Sequence, residues 1–122
     1  MEIKIIDGSF SICKVVDFSE VKTSDKFNFI SITDEENSLI CLTKNTPKNA
    51  VNRIDGWRAL RIQGVLDFSL IGILSKILSL LAEAKIGIAA VSTFNTDYIF
   101  VKEADLDKAV VTLAGADYKI EI

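Results

Sequence analysis

The chain has 122 residues, a net charge of −3, 49% hydrophobic residues and 25% charged residues. That is enough for one real core or two small packed halves, and the composition is that of an ordinary globular chain. The acidic balance lacks the cationic footprint of a nucleic-acid or anionic-membrane binder, so neither partner is expected.

The chain contains no histidine. It also has no Cys-x-x-Cys pair, and Gly64 to Gly72 does not read as a glycine-rich phosphate loop. An enzyme needs a positioned acid, base or nucleophile, so catalysis, a metal site and a cofactor are all unexpected. Cys13 and Cys41 lie in alternating apolar runs and read as buried, reduced thiols. The chain begins directly as a strand, without a leader, and its most apolar helix carries Lys76 and Glu83. The expected location is cytoplasmic.

In chain order, Ile3 and Ile5, then Phe10, Ile12 and Val15, form strand-type runs on either side of an Asp7-Gly8 turn. The polar stretch Asp17 to Lys26 is too short for a full crossover helix. Phe27 to Ile32 reads as a strand. Asp34-Glu35-Glu36-Asn37 reads as a turn of residues that bond their own backbone, and Leu39 to Leu42 as the returning strand. The carboxylates of that turn form a tempting acid/base trio, but they read most simply as solvated. Pro47 ends this mostly β half, and Thr46 to Asp55 reads as a linker or degenerate helix. The expected domains are therefore 1–55 and 56–122.

Trp57 to Gln63 alternates and should be a strand with one buried face. Asp67 is placed to N-cap a helix from Phe68 to Lys85. On a helical wheel its apolar residues cover roughly 200°, more than one sheet can bury. The surplus should pack on the other half or on a second subunit. A turn at Gly87 returns the chain as a strand to Val91. The polar run Ser92 to Asp97 makes a hairpin with Tyr98 to Val101. Glu103 to Ala114 reads as a second amphipathic helix with acids in its first turn, stopped by Gly115. Tyr118 to Ile122 is a final strand. The order β-α-β-β-α-β is the split βαβ arrangement of an α+β, ferredoxin-like unit. A weak internal repeat pairs Ile30 to Asp34 with Val91 to Asn95, with one residue inserted in the first copy.

These motifs carry a resemblance. Gly87-Ile88-Ala89-Ala90-Val91-Ser92-Thr93, followed by a polar turn, a strand and Asp107-Lys108-Ala109, is similar to the regulatory ACT repeats of aspartate kinases. The match is closer to small stand-alone proteins with two ACT-like halves, which resemble at greater distance the cytosolic arginine sensors of animals. It rests on Trp57-Arg58-Ala59-Leu60, on Gly64 to Leu74, and on Ser92 to Tyr98. In the first half it rests on Gly8 to Cys13 and Phe29 to Thr33.

The resemblance implies an ACT unit in the second half and a reduced, mostly β ACT-like unit in the first. It also implies an amino-acid ligand held at the first helix and the polar hairpin. The ligand's carboxylate would meet main-chain N–H groups around Leu66, Asp67, Phe68 and Ser69, where free amides and the helix dipole favour an anion. Ser92, Thr93, Asn95, Thr96 and Asp97 would face the ammonium and side chain. Asp67 reads more simply as a plain N-cap, Asp97 about as well as a turn residue, and Ser92 and Thr93 more simply as groups bonding nearby backbone. The expected role is a sensor or regulatory subunit, a homodimer with a regulated protein partner. The alternative is an interaction module that kept the fold without a ligand.

Overall fold

The computed structural model describes residues 1–64 and 72–122. Contacts group them into a larger unit, Met1–Asp7 with Arg58–Ile122, and a smaller one, Gly8–Trp57. This differs from a single cut after residue 55, because the first strand, β1 (Glu2–Ile5), pairs with C-terminal partners.

In the smaller unit, β2 (Phe10–Val15), β3 (Phe29–Ile32), β4 (Asn37–Leu42) and the first part of β5 (Ala50–Ile62) form an antiparallel sheet. Its order is β3-β4-β2-β5. Cys13, Val15, Leu39 and Cys41 build the buried face, and both thiols are free. Phe18 and Val21 pack against that face, so a loop covers the sheet where a helix would otherwise do so. The stretch expected to be a linker is strand from Ala50 onward. Residues 51–55 are all exposed. Main-chain pairing with β2 holds them, and no buried face imposes an alternation that the sequence could reveal. Between Phe10↔Trp57 and Ile12↔Ile54 the register slips by one residue. Gly56 supplies the left-handed φ of +84° at that bulge.

In the larger unit, the rest of β5 leads through the undescribed segment to α1 (Ile73–Glu83). Then follow β6 (Ile88–Ser92), β7 (Asp97–Lys102), a 3-10 turn at Glu103–Asp105, α2 (Leu106–Gly115) and β8 (Lys119–Glu121). The strands are ordered β6-β7-β5-β1-β8. This is a ferredoxin-like α+β unit in which β1 lies between β5 and β8, antiparallel to the former and parallel to the latter. Ile3, Leu60, Ile62, Ile99 and Val101 of the sheet pack with Ile77 and Leu81 of α1 and with Ala109 and Leu113 of α2. Ile73, Leu74, Leu78 and Leu80, the flanks of the wide apolar arc, pack against the same cluster. The two helices also touch each other. Much of the surplus expected to need another partner is therefore covered within this unit; Leu70 and Ile71 lie outside the described residues.

The helix ends differ from expectation in an instructive way. The N-cap of α1 is Gly72, with φ +81° and no side-chain cap. Asp67, expected to cap the helix, lies outside the described residues. At the other end, Lys85 adopts φ +61°. Ile86 N–H bonds the Leu81 carbonyl at 3.0 Å and Lys85 N–H bonds that of Ala82 at 2.9 Å, a Schellman motif. Helix α2 ends the same way, with Asp117 at φ +72° and bonds from Tyr118 to Leu113 and from Asp117 to Ala114. The reversals thus fall on Lys85 and Asp117, two residues beyond Glu83 and Gly115, and not on Gly87 or Gly115.

The two units share one plan. β2, β3 and β4 of the smaller occupy the places of β5, β6 and β7 in the larger, and β5 lies beside β2 as β1 lies beside β5. A 3-10 turn, Thr43–Asn45, follows β4 as Glu103–Asp105 follows β7. The larger unit continues into α2, whereas Pro47 appears in the smaller soon after the turn. The repeat aligns Thr33 with Thr93, closing pairs being Ile32↔Asn37 and Ser92↔Asp97. Both turns therefore have the same length, and the one-residue insertion expected in the first copy is not there.

Candidate functional site

Ser92, Thr93, Asn95, Thr96 and Asp97 all fall on the β6–β7 hairpin, and the structure brings them together. Thr93 N–H donates to the Thr96 carbonyl at 2.8 Å. The Thr93 hydroxyl donates to that same carbonyl at 2.9 Å and accepts from Thr96 N–H at 3.3 Å. The turn is thus clamped by a threonine bonding its own backbone, as the equivalent Thr33–Glu36 turn is in the smaller unit. Ser92 Oγ donates to Asp97 Oδ1 across the closing pair. Asn95 and Phe94 are exposed at the tip, Phe94 by 83%.

Thr96 is the exception to this outward face. It is 8% exposed, and its hydroxyl donates to the main-chain carbonyl of Ile62 at 2.6 Å. That bond ties the hairpin tip to the end of β5, just before Gln63 and Gly64 lead into the segment carrying Leu66, Asp67, Phe68 and Ser69. Those four residues lie outside the described structure.

A neighbouring cluster was not singled out from the sequence. Arg61 donates through Nε to Gln63 Oε1 at 2.8 Å and through a terminal nitrogen to Tyr98 Oη at 3.3 Å. Its guanidinium lies 5.7 Å from the Tyr98 ring centroid. The alternation of Arg61 with Leu60 and Ile62 could have marked it as the cation on the face away from the helices. Only strand pairing puts Tyr98 beside it.

Elsewhere in this unit, a cavity of about 410 Å³ opens beside the start of α1, with Gly72, Ile73 and Lys76 on one side and Ala116, Asp117 and Tyr118 on another. The hairpin residues do not line it. The carboxylates Asp34, Glu35 and Glu36 are all exposed on the β3–β4 turn. Among the described residues, no group of three or more His, Cys, Asp or Glu is placed to hold a metal ion. No helix among them is long and apolar enough to cross a membrane.

Four side chains of the smaller unit, Cys13, Asp17, Cys41 and Asp55, have shifted acidities. Burial pushes the Cys13 thiol up to about 11 from an ordinary 9.0. The Ser11 hydroxyl, which donates to Asp55 Oδ1 at 2.6 Å, and then Arg53 hold the Asp55 carboxyl below its ordinary 3.8.

Comparison with known proteins adds the following. Residues 52–114 match the sequence family described as the ACT domain. A protein of Agrobacterium tumefaciens with a known crystal structure is 31% identical and superposes with a TM-score of 0.86, over 98% of this chain and 90% of that one. The aspartate kinase of Clostridium acetobutylicum is 15% identical with a TM-score of 0.67, over 93% of this chain and 33% of that one. The ligand-free regulatory subunit of aspartate kinase from Thermus thermophilus is 8% identical with a TM-score of 0.65, over 95% of this chain and 97% of that one. At these identities the two kinase structures establish a shared fold. No curated protein sequence matches the chain.

Proposed function

The chain belongs to the ACT domain family, and on that premise we propose that it binds a free amino acid and acts as a regulatory or sensor protein. Domains of this family are typically small-molecule-binding regulatory modules. The proposed ligand lies between the hairpin, with Ser92, Thr93, Asn95, Thr96 and Asp97, and the main chain of Leu66, Asp67, Phe68 and Ser69. The observation that carries the reading is the Thr96–Ile62 hydrogen bond. It holds a polar turn at the end of the strand from which the 66–69 segment departs. Arg61, fixed by Gln63 and Tyr98, adds a cation near that turn. In this reading the protein is a cytoplasmic homodimer without catalysis of its own, and ligand binding alters a protein partner.

The test is a thermal-shift panel of the common amino acids, followed by calorimetry on any that respond. A ligand bound only by the folded state raises Tm with its concentration. Asn95→Ala and Asp97→Ala should reduce that shift while leaving the ligand-free Tm nearly unchanged for Asn95→Ala. If no amino acid at millimolar concentration moves Tm or gives heat, the sensor reading fails and the interaction-module reading replaces it.

A further inference from the structure

The alignment of Thr33 with Thr93 runs on through β4 and β7, so the 3-10 turn Thr43–Asn45 answers to Glu103–Asp105. In the larger unit that turn runs straight into α2. Where its start carries Glu103, Asp105 and Asp107, the smaller unit has Thr43, Asn45 and Pro47. The acids are gone, and the chain turns away at Pro47, which is buried. Beside that turn the smaller unit has a cavity of about 410 Å³. Lys44, Asn45 and Lys48 line one wall, and Glu20, Lys22 and Asp25 line the other. Its volume falls within the range of about 300–1,000 Å³ usual for small-ligand pockets.

Both walls are fixed by hydrogen bonds of the chain itself. Asn28 Nδ2 donates to the carbonyls of Lys22 at 3.0 Å and Asp25 at 3.3 Å, and Phe18 and Val21 pack that loop onto the sheet. Opposite, Thr43 N–H donates to the Ser9 carbonyl at 2.8 Å, and the Thr46 hydroxyl donates to the Thr43 carbonyl at 2.9 Å. Asn49 joins the two loops, its amide donating to the Asp17 carbonyl at 3.2 Å and to the Asp17 carboxylate at 3.1 Å.

The charges on these walls are not matched to one another. All three lysines are exposed, and among the described residues none of them forms an ion pair, nor does Glu20 or Asp25. Ammonium groups around one opening repel over a screening length of about 8–10 Å, and a bound anion offsets that repulsion. One carboxylate supplies too little charge for three lysines. A phosphate ester brings about 1.5–2 negative charges at pH 7 and three strong acceptor oxygens. The carboxylates of Glu20 and Asp25 repel a ligand that is anionic throughout, but they accept hydrogen bonds from hydroxyl groups.

We propose that this cavity binds a phosphorylated sugar, free or as part of a nucleotide. Lys22, Lys44 and Lys48 take the phosphate, Glu20 and Asp25 accept from the sugar hydroxyls, and the Asn45 amide serves either end. The site lies wholly within Gly8–Trp57 and shares no residue with the Ser92–Asp97 hairpin. It therefore stands or falls independently of amino-acid binding there.

Calorimetry with ribose phosphate should show binding that weakens as salt rises. Ribose should give no heat, and inorganic phosphate should bind more weakly than the ester. A tighter response to adenosine monophosphate than to ribose phosphate would assign the sugar to a nucleotide. Lys22→Gln, Lys44→Gln and Lys48→Gln should each lower the affinity about tenfold, the scale of one charge-assisted hydrogen bond. Tm should change little, because all three side chains are exposed. Lys108→Gln, at the place of Lys48 in the larger unit, should leave binding unchanged. Asp25→Asn should bring inorganic phosphate closer in affinity to ribose phosphate. The proposal is overturned if neither ester gives heat at millimolar concentration. Binding that survives all three lysine substitutions overturns it too, since the anion then lies elsewhere. So does inorganic phosphate binding as tightly as the ester, which would leave a site that does not read the sugar.

Discussion

Thr96 Oγ1 donates a 2.6 Å hydrogen bond to the main-chain carbonyl of Ile62, and both groups are buried. A turn residue thereby anchors the polar hairpin to the strand it neighbours. Thr96→Val keeps the shape and leaves the carbonyl unsatisfied, which should cost about 1–3 kcal/mol. Urea unfolding should show a lower midpoint with an unchanged slope, and Thr96→Ser should recover most of the loss. A loss for Ser with none for Val would mean that packing of the γ-methyl, and not the hydrogen bond, anchors the tip.

Lys85 closes α1 in the left-handed region without being glycine. Lys85→Gly relieves that strain but adds backbone entropy to the unfolded chain, so the expected gain is roughly 0.5–1 kcal/mol. Gly72 presents the reverse case, and Gly72→Ala should lose roughly 1 kcal/mol from forcing a side chain to φ +81°. Opposite shifts in Tm would check both ends of the helix at once.

The Asp55 carboxyl titrates below its ordinary 3.8, chiefly because Ser11 donates to it. A depressed folded pKa means that the unfolded chain takes up the proton first as pH falls. The contribution is complete above 3.8 and is lost as pH drops through the lower folded value. In Ser11→Ala, an NMR titration of Asp55 should move up toward 3.8, and acid unfolding should depend less steeply on pH in that window. An unmoved titration would assign the shift to Arg53.

For Cys13 the sign is opposite. Its thiol is pushed up to about 11 from 9.0 by burial, so the folded chain holds its proton longer than the unfolded one. Stability from this group is complete below 9 and falls as pH rises toward 11. Native protein should react slowly with a thiol reagent at pH 8, and unfolding in denaturant should release the reactivity. Rapid reaction of the native protein would show that the face over Cys13 opens.

The sequence identified the larger unit because its elements follow simple periods. The helical spacing of Ile73, Ile77 and Leu81 and the alternation from Trp57 to Ile62 both reflect one-sided burial. The smaller unit was less legible. Residues 51–55 form a strand held through main-chain bonds, so their side chains carry no pattern. The repeat was detected but aligned one residue out in its first strand, because Ile32 and Ser92 share a place without sharing chemistry. Of the candidate site, the hairpin residues were readable as a polar break between strands, whereas Arg61 acquired partners only through pairing.

By itself the chain determined what local chemistry can fix. That includes the order of elements in the larger unit, the polar turn at Ser92–Asp97 and the reduced thiols in apolar runs. The tertiary structure alone decided which strands are neighbours. It set β1 between β5 and β8, and brought Thr96 to Ile62 and Arg61 to Tyr98. The reason is physical. Periodicity reports which face of an element is buried, but pairing joins residues far apart in sequence through main-chain groups that every residue shares.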